Sequence, residues 1–167
     1  PGRSGWWMAA RRGSCNGVAA EGERMNVLDS FRLDGQVVVI TGGGGLLGPV
    51  HGLAVAEAGG VPVLWDVNPG AVEAAASEVR RATGTACEAQ CVDITSQQQV
   101  EGALAALLAR LGRLDGLVNN AARNPQVGSA QPAWSRLENY PLDAWEADLA
   151  VGLTGAMLCS RVLGEAM

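Results

Sequence analysis

The 167-residue sequence contains no lysine, and it has a single histidine, a single tyrosine and a single phenylalanine. The missing lysine excludes any site built on an ε-ammonium group, whether a Schiff base or a cation set beside a catalytic tyrosine. His51 alone cannot form a histidine cluster, and Cys15, Cys87, Cys91 and Cys159 make no CxxC pair, so no zinc or other metal site is expected. Buried free thiols in a reducing compartment are expected instead, with Cys87 and Cys91 on a strand and its end, and the cytoplasm follows as the default location. Positive charge is scarce: the net charge is −5, and Arg3, Arg11, Arg12 and Arg24 are gathered in the first 24 residues. The remainder is more acidic still and offers no basic face to nucleic acid. No uninterrupted apolar run approaches the ~20 residues that cross a bilayer, so no membrane partner is expected.

Residues 1–24 open Pro1-Gly2-Arg3-Ser4-Gly5-Trp6-Trp7-Met8 and read as a disordered or mis-assigned extension, with Met25 as a natural start. Arg11-Arg12 lacks the apolar stretch and cleavage site of a twin-arginine signal. Residues 25–167 carry enough apolar side chains for a core of their own, and 48% of the whole chain is apolar.

From Leu33 onward, strand-like and helix-like patterns alternate as β-α-β-α-β-α-β-α. This predicts an α/β fold, a Rossmann-like doubly wound parallel sheet with helices on both faces, incomplete at about four strands. The first strand, 36–41, is continuous in Val and Ile because a central parallel strand is buried on both faces. A helix over 47–58 tolerates Pro49 in its first turn and stops at Gly59-Gly60. A strand over 61–65 leads to a helix over 69–83 with Asn68 as N-cap and Gly84 as terminator. After a strand over 86–92, Ser96 and Gln99 form a capping-box pattern ahead of Val100, Leu104, Leu107, Leu108 and Leu111, and this helix ends near Gly112. A strand over 114–119, an irregular loop over 123–141 and a last helix from 142 to the final residue complete the pattern.

The chemistry concentrates where the first strand breaks into Thr41-Gly42-Gly43-Gly44-Gly45-Leu46-Leu47-Gly48. Glycines let the backbone turn tightly and approach a pyrophosphate, and the following helix aims unpaired N–H groups and a positive dipole end at it. Gly43, Gly45 and Gly48 satisfy the general GxGxxG fingerprint. Asp66, closing the second strand, would accept hydrogen bonds from the adenosine ribose hydroxyls. Its charge opposes a 2′-phosphate, so NAD is preferred over NADP as the cofactor. A plain strand-to-helix turn and a capping aspartate are the bland alternatives. A methyltransferase, which also sets a glycine turn and an acid after its first two strands, is another.

Taken with Asp93-Ile94 after the third strand and Asn119-Asn120-Ala121-Ala122 after the fourth, these motifs resemble the short-chain dehydrogenase/reductase family over residues 25–167. The resemblance implies an oxidoreductase that moves hydride between NAD(P) and the alcohol or carbonyl of a small-molecule substrate. It places Thr41, Gly42, Gly43, Gly45, Leu47, Gly48, Asp66, Asp93, Ile94, Asn120, Ala121 and Ala122 at the cofactor, with Asp93 toward the adenine and Asn120 to Ala122 steadying the central strand. Leu46 departs from the family pattern, which has glycine there, and Gly152 stands where the family carries an asparagine of its proton relay. The family's catalytic serine and YxxxK pair would lie beyond the last helix, so the chain is expected to be a cofactor-binding fragment with no catalytic residue of its own. Tyr140 without a lysine cannot substitute. A non-catalytic nucleotide-binding module or an inactive gene fragment is the alternative. The last helix, with Leu149, Leu153, Met157, Leu158 and Val162, supplies either core or a homo-oligomer contact, and strand four is expected to be left as an open edge.

Overall fold

A computed structural model describes residues 26–123 and 137–167. The chain divides into two units, Pro1–Ser30 and Phe31–Met167, and the second holds the sheet. Four parallel strands, β1 (Val37–Thr41), β2 (Val61–Asp66), β3 (Glu88–Cys91) and β4 (Gly116–Val118), lie in the order β3-β2-β1-β4. Between them run the helices α1 (Gly48–Glu57), α2 (Pro69–Thr83) and α3 (Gln97–Leu111). The doubly wound parallel architecture is as the alternation of patterns predicts.

Strand periodicity sorts the core into two layers. Val38, Ile40 and Leu64 pack with Val55, Val72, Ala76 and Val79 of α1 and α2. Val37, Val39, Val63 and Trp65 pack on the other face with Val100 and Leu107 of α3 and with Cys159 and Leu163 near the C-terminus. Every residue of β1 is buried, which is why it reads as an unbroken Val/Ile run.

The helix punctuation follows local chemistry. The Asn68 side chain accepts from the Ala71 N–H at 3.1 Å, and α2 ends on Gly84 with φ +70°. Ser96 caps α3 by accepting from the Gln99 N–H at 3.4 Å, and Gly112 ends it with φ +76°. The reciprocal half of the expected capping box is different: Gln99 Oε1 accepts from the Asp93 N–H at 2.9 Å, while the Ser96 N–H donates to Asp93 O. The box is widened by one turn, and it ties the helix to the end of β3.

The last helix is interrupted. It comprises α4 (Leu142–Leu149), a π-helical turn over Ala150–Gly155 and α5 (Ala156–Gly164). Leu158, Cys159 and Leu163 are buried, whereas Leu149, Leu153 and Met157 stay 38–65% exposed, so the apolar residues of this helix divide between core and surface. The mean hydropathy and 23-residue length of Leu142–Gly164 would suffice to cross a membrane, although charged residues interrupt its apolar run. Its inward side is nevertheless engaged with the sheet layer, through the core residues named above and through Asn119 Nδ2 donating to Ser160 Oγ at 2.9 Å. Most of the irregular loop expected over 123–141, and the extension at 1–24, lie outside the described residues.

Candidate functional site

The site is built where β1 ends. Gly42 turns the chain with φ +66°, and a Cβ there would stand 2.8 Å from Ala121 Cα, so only glycine lets the two strand ends pass. The Gly43 N–H donates to Trp65 O at 2.8 Å, the Gly44 N–H to Asp66 Oδ2 at 3.0 Å and the Gly45 N–H to Gly42 O at 3.1 Å. Gly44 lies flat on α2, where a Cβ would meet Ala71 Cβ at 2.8 Å. Helix α1 then begins without a side-chain cap, and among the described residues no acceptor takes the N–H groups of Leu46 and Leu47. Unclaimed amides at a helix start are an anion-binding arrangement.

These amides border a crevice of about 630 Å³ outside the carboxyl ends of the strands. Gly42, Gly45, Leu47 and Asp66 line one part of it, and Asp93, Ile94, Asn120, Ala121 and Ala122 line another. Thr41, Gly43 and Gly48 do not reach it. They hold the wall from behind: Thr41 is 1% exposed, and its Oγ1 accepts from the N–H groups of Asn120 and Ala121, each at 3.1 Å. Asn120 likewise braces the turn, its Nδ2 donating to Thr41 O at 2.9 Å and Gly42 O at 3.2 Å.

Both acids also make local bonds. Asp66 Oδ1 accepts from the Asn68 N–H at 2.9 Å in addition to the Gly44 bond, so each carboxylate oxygen is steadied by one amide and keeps a lone pair for the crevice. Asp93 Oδ1 accepts from the N–H and hydroxyl of Thr95, at 2.9 and 2.7 Å. Apolar Val67, Val92 and Val151 add lining that the motifs do not announce, as does Arg123. A dinucleotide fits this set: bare amides for phosphates, an oriented carboxylate for sugar hydroxyls and apolar walls for an aromatic base.

Tyr140 is not among the residues that line the crevice. Its hydroxyl donates to Asp148 Oδ2, and that bond pushes the phenol pKa up, the opposite of what a tyrosine acting as a base requires. The second oxygen of Asp148 faces Arg123 Nη1 at 3.7 Å. Among the thiols, Cys87 and Cys159 are buried and free, and burial raises both to about 11, which keeps them protonated and inert. Cys91 departs from the expectation of burial: it ends the edge strand and is exposed.

The short chain dehydrogenase family matches residues 36–167. D-threitol dehydrogenase of Mycolicibacterium smegmatis is 31% identical over 147 residues, which is 88% of this chain and 53% of that protein. Among solved structures, NAD+-bound xylitol dehydrogenase superposes with a TM-score of 0.71 at 30% identity, covering 81% of this chain and 49% of that one. The NADPH-dependent 3-quinuclidinone reductase of Rhodotorula rubra gives 0.70 at 30% identity, covering 89% and 53%. The chain thus spans about half the length of the relatives it matches. The family match decides against the methyltransferase alternative. Fold, crevice and sequence agree, and the chain belongs to the short-chain dehydrogenase family of NAD(P)-dependent oxidoreductases.

Proposed function

We propose that this chain binds NAD(H) in the crevice and is the cofactor-binding half of a dehydrogenase acting on an alcohol or carbonyl substrate. When bound, the nicotinamide supplies the hydride chemistry. The residues present here bind and orient: the Leu46 and Leu47 amides receive the diphosphate, Asp66 the adenosine ribose, and the Thr41–Asn120 brace keeps the crevice wall in register. No lysine exists in the sequence to complete a YxxxK pair.

The observation that carries the preference for NAD is the surroundings of Asp66. Its carboxylate is aimed by Gly44, whose α-carbon is closed off by Ala71, so no cationic side chain can be placed there to receive a 2′-phosphate. Val67, the next residue, is apolar and 68% exposed. Arg123 is the only arginine on the crevice wall among the described residues, and it follows β4 and pairs with Asp148. Bringing a phosphate dianion against Asp66 therefore meets an uncompensated like charge.

Calorimetric titration tests this reading. NAD is expected to bind at least about tenfold more tightly than NADP, and Asp66→Ala to weaken NAD by about tenfold or more. Equal or tighter NADP binding overturns the preference, and absence of NAD binding overturns the reading. The exposed face of the last helix, with Leu142 at 69%, Leu149 at 38%, Leu153 at 65% and Met157 at 49%, supports a second copy as its partner. Sedimentation is expected to show a dimer that Leu153→Glu dissociates.

A further inference from the structure

Among the described residues, Leu46 has the most exposed side chain of the loop. It is 91% exposed, yet it borders the crevice between Gly45 and Leu47. No described non-glycine residue has a positive φ, so Leu46 holds its place without backbone strain. The Leu46 N–H, just ahead of α1, is one of the loop amides with no acceptor among the described residues. An anion received by that amide must therefore sit within reach of the isobutyl group on the adjoining α-carbon. Leu47 and Val50, 54% and 56% exposed, extend the apolar surface along the first turn of the helix.

We propose that Leu46 is a cofactor-binding residue that lies over the diphosphate and screens its amide hydrogen bonds from water. This rests on the NAD reading above and deepens it. A glycine at this position leaves the diphosphate open to solvent. A leucine removes water from one side, lowering the local dielectric around the N–H to phosphate bonds and burying its own apolar surface at the same moment. The loop thus answers the loss of a glycine with an apolar cover that exists only when ligand is present. That accounts for a leucine left 91% exposed beside the crevice.

The test titrates the full chain and Leu46→Ala with NAD, ADP-ribose and adenosine, the last by competition against NAD. Leu46→Ala is expected to weaken NAD and ADP-ribose by about 3- to 10-fold, to leave adenosine unchanged and to steepen the salt dependence of NAD binding. The heat-capacity change on NAD binding should become less negative. Leu46→Met, which keeps the cover, is expected to bind like the parent chain, and thermal midpoints without ligand should coincide because the side chain is exposed. Equal or tighter NAD binding by Leu46→Ala overturns the inference, as does an equal loss for adenosine. Failure of the parent chain to bind NAD brings down the cofactor reading and this inference with it. If the parent binds, Asp66→Ala does not, and Leu46→Ala matches the parent, this inference alone has failed.

Discussion

Thr41 and Asn120 hold each other reciprocally: Thr41 Oγ1 accepts from the Asn120 N–H at 3.1 Å, and Asn120 Nδ2 donates back to Thr41 O at 2.9 Å. The pair locks the ends of β1 and β4 together where the crevice opens. Thr41→Val keeps the shape but strips the acceptor from two part-buried N–H groups, and is expected to cost about 2–4 kcal/mol. Thr41→Ser keeps the oxygen and should cost less than about 1 kcal/mol. Urea denaturation midpoints check both.

Gly44 couples cofactor recognition to packing. Gly44→Ala forces a methyl group against Ala71 and the α2 backbone, where the nearest atoms would lie at 2.8–2.9 Å. Either α2 or the loop must shift, which releases the Asp66 bond. The variant should lose about 1–3 kcal/mol of stability. Its NAD affinity should fall together with that of Asp66→Ala, measured by the same titration.

The π-helical turn makes two glycines of one helix respond with opposite signs. Gly152 has nothing within 4 Å of a built Cβ, so Gly152→Ala is expected to stabilise by about 0.5–1 kcal/mol through the unfolded state. Gly155 is buried, and a Cβ there would press on Ile94 Cδ1 and Cγ1 at 2.8 Å. Gly155→Ala should destabilise by about 1–3 kcal/mol. Thermal melts of the two variants should move in opposite directions.

Asp115 anchors the start of β1 by accepting from the Val37 N–H at 2.8 Å, and the Arg113 guanidinium bonded to it holds its carboxyl below the usual carboxylate range. A depressed folded-state value means that its contribution is present above the unfolded pKa of about 3.9 and is lost as pH falls through the folded value. Asp115→Ala should cost about 1–3 kcal/mol near neutral pH and should lose less stability than the parent on acidification below about pH 4. Denaturation midpoints between pH 3 and pH 7, on the order of one unit apart, give the comparison.

Much of this was legible in the sequence because it depends on local chemistry. Asn68, Gly84, Ser96 and Gly112 punctuate α2 and α3 where their capping preferences place them. Asp93 and Asn120 were legible only in part, since their residue types suit both a ligand contact and a backbone brace, and the bonds they make here are to Thr95 and to Thr41 and Gly42. The exposure of Cys91 was not legible, because burial at the end of a strand depends on whether that strand lies at the sheet edge. Nor was the π turn, for nothing in Ala150–Gly155 departs from ordinary helical composition except two glycines.

By itself, the sequence determined the alternation of strands and helices, the place where β1 breaks and the acid that follows β2. Each arises within a few residues from torsional preference, side-chain periodicity and capping. Tertiary structure alone decided that Gly44 is pinned between Asp66 and Ala71, that Gly155 sits on Ile94, and that Leu46 stands uncovered beside the crevice. Those relationships join residues brought together only when a parallel sheet and its crossovers pack, and close packing converts such neighbours into steric and hydrogen-bonding rules that no short stretch of chain contains.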